Sequence, residues 1–211
     1  MQENYLNSAK QQFHYYKMLG DKTMAQLTDE QLIWQYNEAS NSIAIMVKHL
    51  WGNMMSRWTD FLTTDGEKDF RKRDEEFYLH DTPVVGLRLE GVNALTTEET
   101  NKSAREYNRD WILSKWEEGW VCLFSALDTI NKENFSTTIY IRNQGHTIPE
   151  AINRQMMHYA YHVGQMVYVG RMIRGNDWQS LSIAKGDSKA YNAEKFSQEK
   201  EKRHFTDEYL K

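Results

Sequence analysis

Cysteine is nearly absent from this 211-residue chain: Cys122 is the only one, which excludes an intramolecular disulfide framework. Proline occurs twice, at Pro83 and Pro149, and glycine 11 times. So little turn punctuation excludes a fold of many short strands and predicts an all-α chain. No apolar run approaches the ~20 residues needed to cross a bilayer, because the richest stretch is broken by His158, His162, Gln165 and Arg171. The net charge of −4 is spread over interspersed acids and bases, leaving no basic field to release counterions from nucleic acid. The N-terminus has no basic-then-apolar secretory pattern. These absences predict a soluble, cytoplasmic protein with neither nucleic acid nor membrane as partner, and the length suits one well-cored domain. Cys122 lies in Trp120-Val121-Cys122-Leu123-Phe124. No neighbouring charge would stabilise its thiolate, so it reads as a buried small hydrophobe rather than a nucleophile.

Tyr5, Leu6, Ala9, Phe13, Tyr16 and Leu19 recur at helical spacing, which predicts helix one over residues 2–19 with Gly20 as its stop. Thr28-Asp29-Glu30-Gln31 has the form of a capping box for a short helix through Tyr36. Helix two covers residues 42–62 and is apolar on more than one side. Residues 63–95 lose this periodicity, contain the charge run Arg71-Lys72-Arg73-Asp74-Glu75-Glu76, and read as a long crossover packed over the end of the fold. Thr96-Thr97-Glu98-Glu99 is the expected cap of helix three, which extends to residue 130. Residues 137–141 and 145–148 alternate about Asn143-Gln144-Gly145 as a small hairpin. Thr147-Ile148-Pro149-Glu150 opens helix four, which holds its pattern to Arg174 before Gly175. The economical fold is an antiparallel four-helix bundle over residues 1–187, with the crossover between helices two and three. Residues 188–211 form a charged tail that either docks as an amphipathic helix or stays mobile. The stretch from Trp178 to Gly186 folds back over the bundle or forms part of a lid.

Histidine is what the sequence has in an informative pattern. His158 and His162 lie in Met157-His158-Tyr159-Ala160-Tyr161-His162-Val163-Gly164-Gln165, and four residues of helix separate the two imidazoles by only ~6 Å along the axis. That spacing suits two ligands of one divalent metal. Gln155, His158, His162 and Gln165 form a polar stripe on an otherwise apolar helix, and buried polar groups need partners. Hydrogen-bonded core histidines would also meet that need. His49, in Val47-Lys48-His49-Leu50-Trp51-Gly52-Asn53-Met54, could complete a three-nitrogen site across the bundle and leave a coordination position open. Tyr159 stands where a zinc peptidase carries the glutamate of His-Glu-x-x-His, so peptidase chemistry is disfavoured. Three imidazoles suit zinc, nickel, cobalt or iron(II). Gly52 leaves room for a close helix or a ligand. Asn53 and Arg57 either line the pocket mouth and bind an anionic substrate group, or Arg57 pairs with Asp60 or Asp65 and closes the helix end. His14, His80, His146 and His204 lack paired spacing and read as surface or loop residues.

Longer strings carry a resemblance. Asn41-Ser42-Ile43-Ala44-Ile45 leading to His49, Gly52-Asn53-Met54, Ser56-Arg57-Trp58-Thr59-Asp60-Phe61, Thr64-Asp65-Gly66-Glu67, Ile152-Asn153-Arg154-Gln155 leading to the histidine pair, and Leu181-Ser182-Ile183 resemble the DinB/YfiT-like superfamily of metal-binding four-helix bundles, in a branch known only as a domain of unknown function. The resemblance implies a divalent metal, zinc or nickel foremost, on His49, His158 and His162; the helix faces place Asn53, Arg57 and Gln165 as candidates around it. It also implies homodimers, and an S-transferase that joins a low-molecular-weight thiol to small electrophiles. Metal-dependent hydrolysis and a non-catalytic, stress-associated metal-binding role are the alternatives.

Overall fold

Helix α1, Gln2–Met24, runs through Gly20 instead of stopping there. In this computed structural model, which describes residues 2–37, 39–79 and 107–210, Gly20 faces the indole of Trp116, and a Cβ would collide with that ring. The glycine marks close helix packing rather than a helix end. Helix α2, Asp29–Leu32, has the expected capping box at Thr28 and Gln31 but is a single turn.

Helix α3, Ile43–Trp58, starts where the Ser42 hydroxyl accepts from the Ile45 amide. It ends before residue 62 because Asp60 turns to φ +47° and its carbonyl accepts from Thr63 and Thr64. After a 3₁₀ turn at Arg73–Phe77, helix α4, Arg109–Asp128, is capped by Asn108, whose side chain accepts from the Trp111 amide at 2.9 Å. The expected cap at Thr96-Thr97-Glu98-Glu99 lies outside the described residues, but Tyr107 and Asn108 are not helical, so this helix starts later than its sequence pattern suggests.

Strands β1, Thr138–Ile141, and β2, Gln144–Thr147, pair antiparallel, with Ile141 opposite Gln144. Among the described residues the fold is therefore helical with one hairpin. Its two-residue turn is Arg142-Asn143, at φ +54° and +60°, the geometry that matches strand twist; the expected Asn143-Gln144-Gly145 turn is off by one residue. Asp65 stabilises this turn by accepting from both turn amides at 2.8 Å. Helix α5, Ile148–Arg174, follows directly with the Thr147–Glu150 capping box, an early proline and Gly175 at its end.

Helix α3 packs on α4 and on α5, and α1 packs on α5 and α4. This closes a ring of four long helices, with the crossover between α3 and α4, consistent with a DinB-like arrangement. At its centre Phe13, Trp120 and Tyr159, from three different helices, meet with ring centroids 5.8–6.3 Å apart. Such contacts add ~0.5–1.5 kcal/mol each beyond area burial. The Trp178 ring packs beside Gly170, and Gln179 exchanges two hydrogen bonds with Gln26. Helix α6, Ser188–Phe196, precedes a 3₁₀ turn at Phe205–Glu208 that sits on α1 through His204 with Ser8, Asp207 with Gln11, and Phe205 with Tyr15.

Candidate metal centre

The polar stripes of α3 and α5 face each other. One nitrogen from each of His49, His158 and His162 lies within 4.8 Å of the other two, and the Nε2 atoms of His49 and His158 are 3.1 Å apart. Nitrogens bound to one tetrahedral ion at ~2.0–2.1 Å would be a little over ~3 Å apart, so the donor set fits a divalent metal after small side-chain rotations. His49 and His162 are buried and His158 is half-buried.

Hydrogen bonds on the far side of two rings orient them. The Glu76 carboxylate accepts from His49 Nδ1 at 2.8 Å, and the Gln165 amide oxygen accepts from His162 Nδ1 at 2.9 Å. With hydrogen on Nδ1, both rings keep the Nε2 lone pair for the centre. Glu76 is itself held by two bonds from Arg71, at 2.7 and 2.9 Å. Burial opposes the charge on Glu76, but Arg71 and His49 outweigh it and hold its carboxyl below the usual range. Burial, then the neighbouring imidazoles His162 and His49 and the charges of Arg71 and Arg57, push His158 down from 6.5 to about 3. Burial and His49 lower His162 to about 4, against the hydrogen bond to Gln165. Both rings of the α5 pair are thus neutral at pH 7 and available as donors.

Glu76 is the part of this cluster that sequence reading missed, hidden in a run of alternating charges. Gly52 was the available signal. A Cβ on Gly52 would collide with the Glu76 carboxylate, so the space one turn beyond His49 admits a side chain from the crossover rather than a helix or a ligand.

Asn53, Arg57 and Gln165 line the same cleft as the three histidines, about 440 Å³ in volume. Asn53 accepts from the Tyr159 hydroxyl at 3.1 Å, and that hydroxyl accepts from Trp58 Nε1 at 2.9 Å. Tyr159, in the position of a peptidase glutamate, therefore points into the core, where burial keeps its phenol protonated. Arg57 pairs with neither Asp60 nor Asp65: it donates to the Gly66 carbonyl and to Glu67 at 2.9 Å, because the chain after α3 folds back across the helix end. The segment from Trp178 to Gly186 does not contribute to the cleft. Cys122 lies elsewhere, against Thr59, with its thiol pKa raised by burial. His14 stacks on Phe124, His204 caps the last 3₁₀ turn, and His80 lies outside the described residues.

No helix among the described residues is long and apolar enough to cross a membrane. Residues 1–84 and 90–187 match the profile of the family described as protein of unknown function (DUF1572), and the chain belongs to that family. Searches of curated proteins and of solved structures found no match.

Proposed function

We propose that this DUF1572 member is a metal-dependent enzyme of the DinB-like type, with one divalent ion, zinc or nickel, on His49, His158 and His162. The observation that carries this reading is the convergence of three imidazoles from two helices on one side of an open cleft. Three protein ligands leave room for a fourth from outside, and an ion there lowers the pKa of a bound thiol or water.

The chain's own residues supply orientation rather than a nucleophile. Among the described residues lining the cleft there is no cysteine, serine or carboxylate, so the attacking atom comes from a second small molecule or from water. We place transfer of a low-molecular-weight thiol first: its sulfur loses a proton, bonds to an electrophilic carbon, and the leaving group departs with the electron pair. Glu76 and Gln165 hold two of the imidazoles in the required tautomer throughout. The exposed face of α5, with Met157, Tyr161, Tyr168 and Met172, supports a homodimer, which sedimentation would detect.

The test uses zinc- or nickel-loaded protein, cysteine as thiol and a chromogenic aryl halide. Turnover that needs both metal and thiol supports transfer. Metal-dependent ester cleavage without thiol selects hydrolysis, and metal binding with neither activity selects a non-catalytic role.

A further inference from the structure

The cleft beside the histidines is lined by five arginines: Arg57, Arg71, Arg73, Arg142 and Arg154. Among the described residues their carboxylate partners are few. Glu67 is shared by Arg57, Arg71 and Arg142, and Glu76 is taken up by Arg71 and His49. Among the described residues the one carboxylate near Arg73 is Asp74, a loose contact at 3.7 Å whose side chain is almost fully in solvent, and its guanidinium lies over the Phe77 ring at 5.3 Å. Among the described residues Arg154 meets no carboxylate; its Nη1 donates to the Nε2 of His146 at 2.8 Å.

A second observation points to a ligand. Gln155, one residue along α5 from Arg154, lines the cleft and is 3 % exposed, yet its Oε1 has no hydrogen-bond partner. The buried Arg57 Nε, on the same cleft, also lacks one. Unpaired buried polar atoms cost ~1–3 kcal/mol each, and both atoms belong to residues at a cavity with surplus positive charge. A terminal amide can also rotate to offer a donor instead of an acceptor.

We infer that Arg154 and Arg73, with the amide of Gln155, form an oxyanion subsite that takes the carboxylate or phosphate end of a small ligand whose other end reaches the histidines. The guanidinium fork suits both groups, because each accepts two parallel N–H bonds. The position of the ligand's other end rests on the metal-centre reading above; anion binding does not. The role expected for Arg57 passes to Arg154 and Arg73, since Arg57 is already engaged by Glu67 and the Gly66 carbonyl.

Calorimetric titration of the full chain with succinate, inorganic phosphate and neutral succinamide tests the subsite, with zinc content measured on the same samples. Saturable binding of succinate or phosphate but not succinamide is expected, and the tighter of the two identifies the group. Arg154→Gln and Arg73→Gln should each weaken it ~10-fold or more, the loss of a charge-assisted contact, and should leave zinc content unchanged. Arg154→Lys, which keeps the charge and removes the fork, should recover only part of the affinity. No saturable binding of either anion, equal binding of succinamide, or unchanged affinity in both glutamine variants would overturn the subsite. Anion binding through Arg154 in a wild type that takes up no zinc would instead overturn the metal reading and leave the subsite standing.

Discussion

The two sides of the histidine cluster are built differently. On α3, His49 is locked by a buried carboxylate that two arginine bonds fix in turn. On α5, His162 has one neutral amide partner, and the hydrogen bond of His158 is to another imidazole. The first side is charged, rigid and anchored in the crossover; the second is neutral, with its two pKa values pushed to about 3 and 4. Two of the three rings are thus oriented by an outer partner, His49 by a carboxylate and His162 by an amide, and His158 by neither.

The largest break comes from removing a donor. His49→Ala or His158→Ala should lower zinc affinity beyond the ~10–100-fold typical of losing an outer partner, as read by competition with a chelating dye. Outer partners come next and should separate the two sides. Glu76→Gln should lose ~10–100-fold in affinity, and its melting temperature should fall because the buried Arg71 loses the charge of its bidentate partner. Gln165→Leu removes a neutral acceptor and should lose less than Glu76→Gln; an equal loss would erase the asymmetry.

Gly52→Ala sharpens the comparison without touching a ligand. In a helix interior this change ordinarily stabilises by ~0.5–1 kcal/mol, but here the new Cβ displaces Glu76. Zinc affinity should fall roughly as for Glu76→Gln, toward ~10-fold, while the helix content by circular dichroism is kept. Unchanged affinity would mean that Glu76 does not position His49.

The smallest effect is on pH dependence. In metal-free protein the unfolded state takes up protons on His158 and His162 near pH 6.5, whereas the folded state resists until about 3 and about 4 respectively. The unfolded state binds more protons in between, so this contribution is complete above pH 6.5 and is lost as pH falls toward 4. Melting temperature should drop between pH 7 and 5, and the drop should be shallower in a His158→Gln/His162→Gln double variant. Equal slopes would show that the pair is not desolvated.

The histidine pair and the long helices were legible because both rest on periodicity, an i, i+4 spacing and apolar stripes of 3.6 residues, whereas His49 was legible through its polar place in an apolar helix and through the family resemblance. Boundaries were less legible. Gly20 looks like a stop in one dimension and proves to be a contact with Trp116. Helix α4 begins at Arg109, where Asn108 caps the first turn and Arg109 reaches back to Asp29. Glu76 and Arg154 were missed for a related reason. Each depends on long-range geometry: Glu76 reaches His49 across 27 residues, with the distant Gly52 as its one trace in the sequence, and Arg154 stands out only by meeting no carboxylate among the described residues. His146, set aside as a loop residue, turned out to be the partner of Arg154.

The most direct test of the central claim is the zinc and nickel content of dialysed protein by elemental analysis, wild type beside a variant with all three of His49, His158 and His162 changed to alanine. One ion per chain is expected in the wild type and none in the triple variant, with the helical circular dichroism spectrum retained. Equal metal content in the two proteins, or none in the wild type at saturating ion, would contradict that claim.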